Sequence, residues 1–290
     1  MHESSPRILV FAYSNVGHDC LDLLLRRHLR PVAVFTHQDD PTESRWFRSV
    51  AERAEAADLP VLTPDRLPPA EWLSRFTNEF RPDLIFSFYY RRMIPTALLD
   101  TARLGALNIH GSLLPKYRGK APVNWAVLHG ETETGATLHH MVREPDAGDI
   151  VDQQAVPIGP RDPAIEVMHA VTKAAVTVLD RQIDALLTGT APRRPQNPEE
   201  ATYFSGRRPE DGRIDWDQPT ANIFNLIRAV TRPYPGAFSE LPGLGRIRIW
   251  WAEPTNLCGE PGQILSWNPT IVATRDGSLR LTDVEPLASP

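Results

Sequence analysis

Cysteine is nearly absent: Cys20 and Cys258 are the only two among 290 residues. Two thiols so far apart make neither a disulfide framework nor the paired spacing of a zinc site, so a reducing cytoplasm is the expected compartment and no metal is expected. Long apolar runs are missing too. No stretch approaches the ~18 uninterrupted apolar residues of a membrane helix, and the opening MHESSPRILVFAY lacks a basic region ahead of an apolar one. Neither membrane insertion nor secretion is therefore expected. Positive charge is in deficit: 31 Lys plus Arg against 36 Asp plus Glu leave a net charge of −5. That argues against a broad phosphate-neutralising face, and so against nucleic acid as a partner, while leaving room for local basic patches. A fourth shortage is local. The first predicted strand-to-helix turn, AYSNVGHDC, has one glycine, Gly17, where the pyrophosphate fingerprint needs three, so NAD is not expected.

Short apolar runs alternating with amphipathic segments fill the first half, the pattern of a parallel sheet covered by helices. Predicted strands are RILVFAY from Arg7, PVAVFTH from Pro31, LPVLTP from Leu59, PDLIFSF from Pro82 and ALNIH from Ala106, with ATLHHMV and DIVDQQAVPI to follow. HDCLDLLLRRHL keeps Leu21, Leu24, Leu25 and Leu29 on one helical face. A long helix is expected over residues 163–187 and another over residues 220–230, the latter ended by Pro233 and Pro235. Residues 188–212 are rich in Pro, Gly and charge without periodicity and read as a linker or surface excursion. Beyond them, RIRIWW alternates as a half-buried strand and Asp276-Gly277 sits between two alternating runs as a hairpin signal. The expected architecture is α/β, a Rossmann-like doubly wound, mostly parallel sheet over residues 1–188, a linker at 189–212, and a small β-rich, OB-like domain at 213–290.

The chemistry concentrates in LNIHGSLLPKYRG, residues 107–119. Alternation along a strand projects Asn108 and His110 to one side, at the carboxyl end of a predicted buried strand, where open α/β sheets bind ligands. An amide N–H and an imidazole N–H together can stabilise an oxyanion, which points to acyl transfer. The loop after them adds Gly111, Pro115, Gly119 and the cations Lys116 and Arg118 for an anionic ligand. A second polar cluster, REPDAGDI, offers Asp146 and Asp149, either of which would support an imidazolium; spacing alone does not choose between them. His139 and His140 adjoin in a strand and face opposite ways, so core or surface packing is expected rather than metal ligation. The same is expected of Trp250 and Trp251.

LNIHGSLLPKYRGKAPVNW followed by HGETETGATLHHMVREPDAGDI strongly resembles the folate-dependent formyltransferase family, and FAYSNVGH, FTH, FSFYYRRMIP and RAVTRPYPGAF extend the likeness over nearly the whole chain. Within that family the match is most similar to the domains that formylate UDP-4-amino-4-deoxy-L-arabinose in lipid A modification and polymyxin resistance. The resemblance implies the formyltransferase fold, 10-formyltetrahydrofolate as co-substrate, and a catalytic triad of Asn108, His110 and Asp146. It also implies that Arg92, Met93 and Ile94, with Val142, Arg143, Glu144 and Pro145, line the formyl-folate pocket. Lys120 stands where the close relatives carry arginine after YRG, keeping the charge but losing the planar fork. GRRPEDGRIDW resembles an acceptor-binding stretch, making Arg207 and Arg208 candidates for a sugar-nucleotide diphosphate; Tyr234, in a proline-fixed turn, is the third candidate substrate contact. Methionyl-tRNA formyltransferase and a formyl-folate hydrolase are the alternatives. Against the tRNA enzyme, residues 212–290 carry seven arginines and eight carboxylates and no lysine.

Overall fold

The computed structural model describes residues 6–38 and 45–287. Its chain divides into two compact units, the first made of residues up to Arg118, Gly135–Val156 and Ala170–Tyr203, the second of Gly119–Thr134, Pro157–His169 and Phe204 onward. Residues 189–212, which carry the short 3-10 turns Pro198–Glu200 and Pro209–Gly212, are thus shared between the two.

Strands β1 (Ile8–Ala12) and β4 (Leu84–Phe88), with sequences ILVFA and LIFSF, are buried at every position. A strand with no polar face fits only the middle of a sheet covered on both sides. With β2 (Ala33–Phe35), β3 (Val61–Leu62), β5 (Gly105–His110), β7 (Glu133–His140) and β8 (Ile150–Pro157) they form a seven-stranded sheet in the order β3-β2-β1-β4-β5-β7-β8. The pairs from β3 through β5 are parallel, whereas β7 runs antiparallel to β5. The two-residue strands β6 (Arg118–Gly119) and β9 (Tyr203–Phe204) pair only with each other.

Helix α1 (Ser14–Arg26) buries Val16, Cys20, Leu21, Leu23 and Leu24. Leu29, expected on the same face, lies past the end of the helix. The lone glycine of the first turn has a packing role: a Cβ on Gly17 would lie 3.0 Å from Ala12 and 3.2 Å from the Phe88 carbonyl, so its absence lets α1 approach β1 and β4 closely. On the sheet, Leu9, Phe11, Phe35, Phe76, Phe80, Ile85 and Leu98 share one core cluster, with Phe11 and Phe35 stacked at 4.4 Å. Each such side chain contributes about 1.5–3 kcal/mol by leaving water.

The second unit holds an antiparallel five-stranded sheet of β10 (Ala237–Leu241), β11 (Gly245–Thr255), β12 (Ile264–Trp267), β13 (Thr270–Ala273) and β14 (Ser278–Pro286), in the order β10-β11-β14-β13-β12. The Asp276-Gly277 hairpin forms as expected, with Ala273 opposite Ser278. In β11 the alternation holds through Ile247 and Ile249, then slips at a register shift that leaves Trp250 buried as well. The guanidinium groups of Arg232 and Arg248 lie over the Trp250 ring at 4.2 and 5.2 Å, while Trp251 meets Phe224 edge-on. Phe224 belongs to the helix at Thr220–Val230, whose apolar face also buries Ile223 and Ile227. A mostly parallel α/β sheet followed by a small antiparallel β sheet is the architecture that the hydrophobic periodicity implies. No helix among the described residues is long and apolar enough to cross a membrane, and no cluster of three His, Cys, Asp or Glu side chains among them is arranged to hold a metal ion.

Candidate active site

Asn108 and His110 lie on one side of β5, and β7 brings a third polar group to the same side. Asn108 pairs directly with His139 across the antiparallel ladder, and directly opposed residues share a face. His139 is 1% exposed and its Nδ1–H donates to the His140 carbonyl at 2.9 Å. That leaves a lone pair on Nε2, which accepts from the Asn108 amide Nδ2 at 3.1 Å and thereby sets which way round the amide points. Burial pulls His139 down to about 4 against the opposing pull of Asp146, with His110 adding to the fall, so the ring is neutral at pH 7. His139 is packed in the core, as expected, and it also belongs to the polar cluster. Only the cross-strand register, which is invisible in a linear reading, puts it there.

His110 is 6% exposed, with a polar partner facing each nitrogen. Nε2–H donates to the Tyr117 carbonyl at 2.7 Å, and Nδ1 lies 3.5 Å from Asp146 Oδ1. The same carboxylate oxygen is 3.7 Å from His139 Nε2. Of the two candidate carboxylates the structure thus brings Asp146 to the imidazole, whereas Asp149 pairs with Arg193 at 3.2 Å. Asp146 sits in the left-handed region, at φ 57°, a conformation that Asp tolerates better than most residues.

The loop after His110 is anchored from β7 and β8. Thr137 Oγ1 donates to the Ser112 carbonyl at 2.7 Å and accepts from the Leu114 N–H at 3.1 Å, while Gln153 Nε2 donates to the Leu114 carbonyl at 2.9 Å. Arg118, expected as a cation for an anionic ligand, is instead 5% exposed and committed to Gln196 and Tyr203. Lys116 is exposed.

The other predicted site residues fall into two groups. In the first unit, Arg92 donates to the Pro64 carbonyl and to Asp65, Ile94 is buried in the core cluster, and Met93 is 66% exposed. Val142 is 41% exposed, Arg143 and Pro145 are exposed, and Glu144 accepts from the Tyr203 hydroxyl. In the second unit, Lys120 is exposed, and a Cβ on Gly206 would lie 3.3 Å from its Cδ. Arg207 lies over the Trp125 ring at 4.8 Å and donates to the Asp211 carbonyl; burial lowers its pKa, opposed by Asp211. The exposed Arg208 gives its backbone N–H to the Asp211 carboxylate. Burial pushes the Tyr234 hydroxyl up to about 12, with a hydrogen bond to Asn124 pulling the other way.

Residues 7–183 match the formyl transferase family and residues 207–289 match the formyl transferase C-terminal domain. The chain belongs to the formyl transferase family. Similar folds include the N-formyltransferase from Helicobacter canadensis in complex with folinic acid and dTDP-3-aminofucose, 20% identical over 97% of this chain and 100% of that one, with a TM-score of 0.74. A 4-N formyltransferase from Francisella tularensis is 22% identical over 83% and 95% of the two chains, with a TM-score of 0.67. HypX from Aquifex aeolicus, in complex with tetrahydrofolic acid, is 23% identical over 97% of this chain but only 44% of its own, with a TM-score of 0.67.

The buried histidines of this formyl transferase carry a pH dependence of stability. His37 is also pulled to about 4, first by burial and then by Arg92 and Arg91. For both His37 and His139 the folded pKa lies below the unfolded value of about 6.5. Above pH 6.5 neither folded nor unfolded chain binds the proton; as pH falls toward 4 only the unfolded chain takes it up, so stability is lost. His139 alone is expected to remove on the order of 2 kcal/mol between pH 6.5 and 5, and the half-buried His37 acts in the same direction. Urea unfolding at pH 7 and pH 5 checks this; equal midpoints would show that His139 is not held neutral.

Proposed function

We propose that the chain transfers a formyl group from 10-formyltetrahydrofolate to the 4-amine of a nucleotide-linked amino sugar, with UDP-4-amino-4-deoxy-L-arabinose, and hence lipid A modification, as the leading acceptor. The observation that carries the proposal is the convergence of Asn108, His110 and Asp146 in a chain of the formyl transferase family. Its support from relatives is that the similarly folded Helicobacter canadensis enzyme was solved with folinic acid and an amino-sugar nucleotide.

The formyl-folate supplies an activated acyl group and a nitrogen leaving group. Asn108 spends one Nδ2–H on His139, leaving the second for the oxyanion that develops as the amine attacks. His110 has its Nε2–H committed to the Tyr117 carbonyl, so the mobile proton is the one at Nδ1, opposite Asp146. Nδ1 delivers it to the departing folate nitrogen as the formyl carbon–folate nitrogen bond breaks, a water takes the proton that the attacking amine loses, and Asp146 balances the imidazolium charge before transfer. Met93 and Val142, on segments that follow the two neighbours of β5, are large apolar side chains left at the surface and suit a pterin ring; Arg92, Ile94 and residues 143–145 complete that pocket. Arg207 has a stacked, half-buried guanidinium that donates to a backbone carbonyl, which suits the diphosphate, with Arg208, Lys120 and Tyr234 beside it in the proposal.

Two other readings use the same donor chemistry. Transfer to methionyl-tRNA is disfavoured by the seven arginines against eight carboxylates from residue 212 onward. Hydrolysis to formate needs no second substrate and leaves the Arg207 cluster without a role. A mass-resolved assay with 10-formyltetrahydrofolate and, separately, UDP-4-amino-4-deoxy-L-arabinose, a dTDP-4-amino sugar, methionyl-tRNA or no acceptor tests all three. One added formyl mass on the UDP sugar is expected; formate without any acceptor would make the protein a hydrolase.

A further inference from the structure

The carboxylate that faces His110 stands on a turn in an unfavourable backbone conformation, and a side chain from the segment that reads as linker grips that turn. Gln196 Nε2 donates to the carbonyl of Asp146 at 2.8 Å and to that of Gly148 at 2.7 Å. Its Oε1 accepts from Arg118 Nε at 3.0 Å and Nη2 at 2.6 Å. Both amide hydrogens and the carbonyl oxygen are therefore used. Arg118 is 5% exposed and its remaining Nη1 donates to the Tyr203 hydroxyl at 2.6 Å; that hydroxyl donates in turn to Glu144, two residues before Asp146. The turn is also pressed against β7, since a Cβ on Gly148 would come within 1.9 Å of the His140 carbonyl.

The connection reaches both sides of the His110 ring. Tyr117, whose carbonyl holds Nε2, immediately precedes Arg118, and Asp146 faces Nδ1. One amide thus ties the backbone that holds one ring nitrogen to the backbone that presents the carboxylate to the other. We propose that Gln196 is a positioning residue that sets the distance between Asp146 and His110; its catalytic part rests on the formyl-transfer reading above.

The two ends of the amide separate positioning from simple structural support. Glutamate at this position would keep, and strengthen, the contact with Arg118, but would set a carboxylate oxygen against two carbonyls and release the turn. If Gln196 only fastened its own segment, Gln196→Glu would be tolerated. For a positioning residue, Gln196→Glu is expected to lower kcat by roughly 10- to 100-fold, as small misplacements of reacting groups do, with thermal stability retained. In an Asp146→Asn background the same change is expected to cost less than about twofold, because no carboxylate remains to be placed. Hydrogen exchange of residues 141–149 is expected to speed up in Gln196→Glu while β1 and β4 stay protected, a readout that needs no substrate. Unchanged exchange, or a full loss repeated in the Asp146→Asn background, would overturn the proposal. If the wild-type protein formylates no amine, the functional reading and with it the catalytic role fall, and exchange alone then decides whether the brace exists.

Discussion

Turnover is expected to fall by at least about a hundredfold in both His110→Ala and Asp146→Asn, with the fold intact, as loss of a general acid or its charge partner requires. The two substitutions remove different things. His110→Ala deletes the proton carrier together with its hydrogen bond to the Tyr117 carbonyl, so a modest loss of stability accompanies it. Asp146→Asn is nearly isosteric and removes the charge that faces both His110 Nδ1 and His139 Nε2. The turn itself survives, because Gln196 holds it by the backbone carbonyls of Asp146 and Gly148 and not by the carboxylate. Asp146→Asn is thus the cleaner test of chemistry, and near-native melting temperature and circular dichroism are expected beside its low kcat. Turnover within about threefold of wild type in either variant would take proton transfer away from this pair.

What was legible in the sequence follows from the range of the forces involved. The pair Asn108 and His110 follows from period-two alternation within a single strand, and the buried β1 and β4 from unbroken apolar runs; both signals are local. His139 was not legible because its meeting with Asn108 depends on how β7 registers against β5, and two adjacent histidines look alike until that register is known. Gln196 was hidden for a related reason. Residues 188–212 lack periodicity and so read as linker, yet a segment without an apolar face can still be fixed by side-chain-to-backbone hydrogen bonds, which leave no pattern in sequence. Spacing left Asp146 and Asp149 equivalent, and only their partners in the folded chain, His110 for one and Arg193 for the other, tell them apart. Trp250 departs from strict alternation at the register shift of β11, a defect set by strand pairing. Family resemblance supplied the triad as a unit, whereas the contacts that hold it in place had to be seen.

Asn108→Ala should lower kcat by about 10²- to 10³-fold, equivalent to about 2.7–4 kcal/mol of transition-state stabilisation, the usual consequence of deleting one oxyanion donor. The amide is oriented in advance for that role, because one Nδ2 hydrogen goes to the lone pair of a neutral His139 and the other has no strand-pairing duty. Because the group stabilises charge without carrying a proton, the residual activity of Asn108→Ala should keep the wild-type pH profile, whereas that of His110→Ala should lose the limb that reports its general acid. Asn108→Asp makes the sharper variant. It conserves size but sets a negative charge where the oxyanion forms and close to Asp146, so its kcat should lie at or below that of the alanine variant. An aspartate variant more active than the alanine one would mean that Asn108 acts by filling space and not as the oxyanion donor.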